Sequence, residues 1–366
     1  MSAGAQRPLR YTGCTHLRAR LVCSTLSGRP VRIDDIRPDD RNPGMRDFEA
    51  SLLRLLEKLT NGCKIEINET GTSLYYRPGV LAFGEEEVVH DCGTSRGIGY
   101  FLEAVVCLAP FGKRALALKL RGVTNDEADQ SVDGFRNVTM RLLKHFGIDE
   151  GVALKVKKRG APPLGGGEVL FGCPCVRELK PVNLVNEGLV KRVRGIAYST
   201  RVSPQLVNRI VDKSRGELNN FLPDVYVYTD HYTGSESGLS PGYGLSLVAE
   251  TTTGALISAE VVARDGAAPE EVGTDAARLL LEEIKHGGCV DSTNQSLVLL
   301  LMVLCPEDVS RVRLGKLSQY TVVFLRHIRD FFGVVFHLQE DPDTVTPTVL
   351  ATCRGLGFTN LARKTV

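Results

Sequence analysis

The 366-residue chain has no tryptophan, and aromatic residues make up only 6% of it, which speaks against a single-strand nucleic-acid surface built from many stacking rings. No run approaches the roughly 18 apolar residues of a membrane span. The N-terminal Met1-Ser2-Ala3-Gly4-Ala5-Gln6-Arg7 lacks the apolar stretch of a secretory signal, so the expected compartment is the cytosol or nucleus. The ten cysteines are accordingly expected as free thiols. Their one close pair, Cys173-Pro174-Cys175, is neither a Cys-x-x-Cys nor part of a cluster, so the usual zinc spacing is missing. Net charge is small too, at +2, too mild for a nucleic-acid binder to announce itself by its overall field.

What is present is globular composition, 43% hydrophobic and 24% charged, in a chain longer than one core usually holds. Positive charge is local. Arg18, Arg20, Arg29, Arg32, Arg37 and Arg41 crowd the beginning, Lys155, Lys157, Lys158 and Arg159 form a second group, and Lys191, Arg192 and Arg194 a third. Each group reads either as a solvated face or as an anion contact. The second leads into Arg159-Gly160-Ala161-Pro162-Pro163-Leu164-Gly165-Gly166-Gly167-Glu168-Val169. Two prolines fix the approach, and three residues without a Cβ then bare the backbone. Such a segment suits a tight interdomain turn that another chain can approach, or a cradle of amides for an anion beside Arg159. It is no Walker loop, because neither Gly-Lys-Ser/Thr nor a helix pattern follows.

An order of helix, strand, helix, strand, strand occurs three times. The first unit runs through a helix at His16–Leu26, a strand at Val31–Ile33, a helix at Phe48–Leu59 closed by Asn61-Gly62, and strands at Lys64–Asn68 and Leu74–Tyr76. The second has Tyr100–Leu108, Ala115–Leu120, a helix at Val132–Phe146 stopped by Gly147, Val152–Val156 and Glu168–Phe171. The third has Gln295–Leu304, Arg311–Leu314, a helix at Tyr320–Phe332 stopped by Gly333, Val334–Leu338 and Val349–Cys353. Together they predict an α/β (α+β) fold of three helix-pair and four-stranded-sheet units, at about 15–83, 97–173 and 291–358. Residues 183–285 differ in character and read as an inserted α/β domain: a strand at Val193–Tyr198, a helix at Pro204–Phe221 capped by Ser203, strands at Val225–Tyr228, Tyr243–Glu250 and Ala255–Val262, and a helix at Pro269–Ile284. Residues 1–182 and 286–366 form the large domain. The turn-rich loop Thr233–Gly242 is expected to be mobile, and the tail from Ala362 to Val366 is too short for a fold of its own.

The glycine segment, the unit order and Ile36-Arg37-Pro38-Asp39-Asp40-Arg41-Asn42-Pro43-Gly44 resemble the RNA 3′-terminal phosphate cyclase family over nearly the whole chain. That resemblance implies three α/β repeats with a smaller domain inserted before the last. Cyclases of the family adenylylate a histidine, pass the adenylate to a terminal phosphate and close a cyclic ester, with a metal. Their histidine opens a His-x-x-Asp-Gln segment, where this chain reads Asp291-Ser292-Thr293-Asn294-Gln295. An acyl adenylate on Asp291 is a water-labile anhydride, unfit for the same two steps. His286 stands five residues too early and reads as part of a helix end near Gly287. Where cyclases carry Glu-Gly-Gly-Gly-Gln-x-x-Arg, this chain has Tyr11-Thr12-Gly13-Cys14-Thr15-His16-Leu17-Arg18, without the carboxylate a hard cation wants. The family's second arginine is displaced by one, with Asp40 in register and Arg41 following.

The losses resemble the family's eukaryotic cyclase-like branch, which implies a protein without cyclase activity, cofactor or metal, in the nucleus and nucleolus. The branch assembles into the small-subunit processome with its proteins and small nucleolar RNP, binds a nucleolar ribosome-assembly GTPase, promotes its nucleotide exchange, and is needed for early precursor-rRNA cleavages. Arg18, Arg37, Arg41, Arg159, Gly165, Gly166 and Gly167 are then candidates for holding an anion, RNA or partner. An alternative is an endoribonuclease using Arg326, His327 and Arg329, and a residual ATP-dependent cyclase is a further one. No membrane contact is expected.

Overall fold

A computed structural model describes residues 7–84, 86–264, 266–341, 346–361 and 363. The readings of Met1–Gln6 and of the tail from Ala362, Arg363 apart, fall outside them. The chain builds an α/β fold of four four-stranded sheets. In the first, Leu9–Thr12 lies parallel to Val31–Asp34, which pairs antiparallel with Leu74–Arg77 and that strand with Lys64–Ile67. The second repeats this order with Val88–Asp91, Leu116–Gly122, Gly167–Cys173 and Ala153–Lys158. The third repeats it with Asn183–Leu184, Val309–Leu314, Thr348–Arg354 and His337–Asp341.

Each of these sheets thus opens with a strand that the periodicity does not reveal. All three are edge strands, and the first two expose about every other residue, so no apolar run marks them. Asn183–Leu184, read from sequence as the start of the insert, pairs with Arg311 and Val312 of the third sheet. The chain lays down one strand there, leaves to build the fourth sheet, and returns. That fourth sheet has a different order: Val225–Tyr232, Val190–Thr200, Gly242–Thr251, Leu256–Val262.

The helices that were legible by spacing form where expected, for identifiable reasons. Ser318 Oγ accepts from Thr321 N at the start of Gln319–Phe332, and Gly333 takes φ 72° at its end. Ser203 caps Pro204–Leu218, with proline in the first turn. The Asp47–Leu59 helix is not stopped by Gly62. Thr60 turns extended, and Thr60–Asn61 pairs with Val80–Leu81.

Helices Leu17–Ser27, Ile98–Leu108, Gln295–Val303 and Gln319–Phe332 pack on one another. Every residue of Gln295–Val303 is buried, as an all-round apolar helix requires. One apolar cluster joins the three similar sheets and their helices, and a second joins the fourth sheet to Pro204–Leu218 and Pro269–His286. All ten cysteines are unpaired thiols.

The two bodies meet at the glycine segment. Arg159 N donates to Glu236 O at 3.2 Å, Gly238 N to Arg159 O at 2.5 Å, Leu239 N to Gly165 O at 2.9 Å, and Leu164 N to Ser240 Oγ at 3.0 Å. The Thr233–Gly242 loop, expected to be mobile, is therefore pinned along its length. Gly238 admits no side chain, since a Cβ there would fall 2.7 Å from Arg159 O and closer still to Gly165 O. Gly238→Ala is expected to destabilise the protein by about 1–3 kcal/mol and to open this loop to proteolysis, measured by urea unfolding and limited digestion; wild-type behaviour in both refutes the pinning.

Candidate functional site

Arg159 is the largest side chain with no exposed surface. Its two terminal nitrogens reach Asp133 Oδ2 at 2.7 Å and Asp133 Oδ1 at 2.9 Å, and also Asn125 Oδ1 at 3.2 Å and Asp230 Oδ2 at 2.9 Å. Its guanidinium lies over the Tyr198 ring at 4.6 Å. The expectation that Arg159 meets an external anion is corrected: the charge is spent on two carboxylates inside the protein. Against the cost of burial, Arg159 in turn holds the Asp133 carboxyl below its ordinary range. Gly165 and Gly167 are buried, and a Cβ on Gly166 would meet Leu239 at 3.0 Å. The segment is the tight approach of two chain segments, and its glycines serve that contact rather than an open anion cradle.

Asp291 is 2% exposed. Oδ1 accepts from Asn294 N at 3.0 Å and Asn294 Nδ2 at 2.8 Å; Oδ2 accepts from Ser258 N at 3.1 Å and from the Ser258 hydroxyl. Four donors on one carboxylate tie the last strand of the fourth sheet to the start of Gln295–Val303. Burial raises its pKa, opposed by the Ser258 and Asn294 hydrogen bonds. Neither oxygen is open to a nucleotide. His286 ends the Pro269–His286 helix, followed by Gly287 at φ 69°.

Arg18 and Arg37 come together in a cleft of about 380 Å³, whose walls also carry His16, Glu49, Arg96, Tyr100 and Asp129. Arg37 makes a fork on Glu49, at 2.7 and 2.8 Å. Arg18 reaches Asp129 at 3.1 Å and pairs with Glu103, while Arg96 also pairs with Asp129. Three guanidiniums thus face three carboxylates, and an incoming anion must displace a bidentate partner to gain one. Arg41 is exposed on its loop and does not line the cleft. Arg96 and Asp129 were not singled out by sequence: they stand in polar loops without periodicity, and only the fold brings them beside Arg18.

Tyr11, where the resemblance places a carboxylate, donates its hydroxyl to Asp330 at 3.1 Å, and burial and Asp330 push its pKa up. Thr15 lines the cleft. Among the described residues no three His, Cys, Asp or Glu side chains are grouped to hold a metal ion. Arg326, His327 and Arg329 share a helix but not an environment. Both arginines are exposed, whereas His327 is 4% exposed, with its ring against Tyr11 at 5.3 Å and His16 at 5.9 Å. Burial, with Arg20 and His16 nearby, lowers its pKa to about 4. A general base must reach its proton, so the nuclease grouping is corrected by the turn of the helix.

This is an α/β protein with three like sheets, a fourth inserted after the first strand of the third, and a cleft whose charged side chains are held by internal pairs. A sequence profile described as RNA 3′-terminal phosphate cyclase matches residues 9–338. The chain is 59% identical over 365 residues to the mouse "RNA 3'-terminal phosphate cyclase-like protein", covering 97% of each chain. It is 54% identical over 372 residues to the Dictyostelium discoideum "Probable RNA 3'-terminal phosphate cyclase-like protein", covering 98% of this chain and 100% of that one. It is 46% identical over 368 residues to the Schizosaccharomyces pombe "rRNA processing protein rcl1", covering 100% and 99%. The chain belongs to the RNA 3′-terminal phosphate cyclase family.

Two predictions follow from these pairs. Arg159→Met leaves Asp133 buried without its counter-charge and is expected to cost about 3–5 kcal/mol in urea unfolding, with much of it recovered in Arg159→Met/Asp133→Leu; a neutral single variant refutes the assignment. Glu260, whose carboxylate accepts from Ser131 N at 2.6 Å, has its pKa raised to about 7 by burial, with Asp133 and Asp291 adding to the rise. The folded form therefore holds this proton more tightly, so its stabilising effect is full below 4.5 and is lost as pH rises through about 7. The stability difference between wild type and Glu260→Gln should move in the variant's favour across that window, and a pH-independent difference refutes it.

Proposed function

We propose that this protein is a non-catalytic factor of ribosomal-RNA processing. It acts in the small-subunit processome of the nucleolus, in the early precursor cleavages that lead to 18S rRNA, and it binds a nucleolar GTPase and promotes its GDP/GTP exchange. The observation that carries the reading is Asp291. The position where family cyclases hold their nucleophile is a buried carboxylate with four internal donors, and its surroundings serve to join two bodies of the chain. The fission-yeast relative named for rRNA processing supports the pathway. The division into a large body, 1–182 with 286–366, and an inserted one, 183–285, is part of the same proposal, supported by the two separate apolar clusters; the pairing of Asn183–Leu184 moves the start of the insert past residue 184.

Two measurements test it. Purified protein incubated with ATP labelled at the α-phosphate is expected to carry no covalent label, and Asp291→His is expected not to gain one, because Ser258 and Asn294 then lose their acceptor; a stable AMP adduct on the wild type overturns the reading. Affinity capture from nucleolar extract is expected to retain a GTPase and processome components, and depletion is expected to leave precursor uncut and 18S rRNA scarce. Normal processing after depletion overturns the assembly role.

A further inference from the structure

Two clefts on one side of the fourth sheet run into each other. One, of about 620 Å³, lies against the helical segment 132–145 and the strand Ala153–Lys158; the other, of about 320 Å³, lies over Val190–Thr200. Arg141, Glu250 and Leu256 stand in the walls of both, so the two form one groove. Its cations are Arg136, Arg141, Lys144, Lys155, Arg192 and Arg194, and Glu250 is its single wall carboxylate among the described residues; Arg136, Lys144 and Arg194 pair with Asp133, Asp149 and Asp224 outside the walls, which leaves Arg141 and Lys155 the least committed. Glu250 holds Arg192 at 2.8 Å and stands 3.8 Å from Arg141, which is more than half exposed. Lys155 is exposed and carries no ion pair among the described residues.

The groove ends on two aromatic rings. Val225–Tyr232 is an edge strand whose Val225 and Val227 turn inward, so the period of two sends Tyr226 and Tyr228 to the other face. Each tyrosine is 54% exposed, and their ring centroids are 4.5 Å apart. Arg194 is the strand partner of Tyr226, and Tyr228 is itself in the groove wall. Adjacent exposed rings beside guanidiniums contribute little to a core, yet they present faces on which planar groups stack.

We propose that this groove binds single-stranded RNA, with phosphates along its cationic walls and unpaired bases against Tyr226 and Tyr228. The walls supply the sequence-independent attraction of cations for a phosphate chain. The rings supply stacking, which is open only to bases that are not already stacked within a duplex. An acidic polypeptide satisfies the cations but gives the two rings nothing planar to meet. The groove lies apart from the Arg18 and Arg37 cleft and goes beyond the proposed function. Failure of RNA to bind here leaves the GTPase-partner reading standing, and failure to capture a GTPase leaves the groove standing.

The test is fluorescence anisotropy of the full chain with an unstructured labelled RNA of about 12 nucleotides, free and annealed to its complement. The single strand is expected to bind more tightly than the duplex. Tyr226→Ala/Tyr228→Ala should weaken it about tenfold or more with an unchanged salt slope, and Arg141→Gln/Lys155→Gln should weaken it and lower the slope by about 1.4. All four side chains are exposed, so the variants are expected to fold, as circular dichroism checks. Arg264→Gln, which lines the acidic cleft and not the groove, should bind as wild type. Equal binding of duplex, indifference to the tyrosines, an equal loss in Arg264→Gln, or competition by polyglutamate as effective as by unlabelled RNA overturns the proposal.

Discussion

Arg159 has no surface in water, and a guanidinium so placed is tolerable only if carboxylates meet it with good geometry. Asp133, from the helix of the second unit, takes both terminal nitrogens in a fork, and Asp230, from the edge strand of the fourth sheet, takes one of them from the other body. The fork on Asp133 fixes the plane of the guanidinium, so the single bond to Asp230 at 2.9 Å forms only when the two bodies sit in the matching position. The glycines follow from that requirement. To bring Arg159 to both carboxylates the backbone at Gly160 and Gly165 has to run against Gly238, where any Cβ would collide with carbonyl oxygens. A buried charge, two carboxylates and a stretch without side chains are therefore one device, and the segment most conspicuous in the chain is its backbone half.

The same logic explains the surroundings of Asp291. An imidazole that attacks a nucleotide needs an open face. A carboxylate at that place, with no metal ligands grouped around it among the described residues, is stable only when donors surround it, and Ser258 and Asn294 do so. Tyr11 turns to Asp330 and Arg37 to Glu49 in like manner. Each group is satisfied internally, so the pocket has become a set of struts between units. Asp291 and Arg159 both fasten the fourth sheet to the large body, one on each of its two edge strands. A change at Asp291 therefore acts on the docking of the insert.

Much of this was legible in the chain, for physical reasons that also mark where legibility stops. Helices such as Gln319–Phe332 carry their period, cap and terminal glycine within a short window, and Asp291 stands out as a residue in a motif. The opening strands are not visible, because Leu9–Thr12 and Val88–Asp91 are short, edge-placed and half exposed. Nor is the fate of Arg159: its carboxylates lie 26 and 71 residues away along the chain, and a basic residue before glycines looks the same from sequence whether it faces solvent or two aspartates. Low aromatic content says nothing of where the few rings stand. A base-stacking surface needs few rings if a strand edge sets them side by side, and Tyr226 and Tyr228 are two residues apart.

Charge is divided unevenly around the inserted sheet, and this bears on how a polyanion meets the protein. On one side lies the groove with six cations and Glu250. At the Leu256–Val262 edge, a cleft of about 760 Å³ is walled by Asp126, Glu127, Asp129, Glu271, Asp275 and Glu282, with Arg264 and Arg278 as its cations. A net charge of +2 conceals this separation, since the two fields cancel in the sum but not in space. At physiological salt charges are felt over roughly 8 Å, so each cleft presents its own sign locally. A phosphate chain is repelled from the acidic side and drawn to the side where the tyrosines are. The asymmetry would therefore favour one side of the inserted sheet for the proposed RNA strand before any specific contact forms.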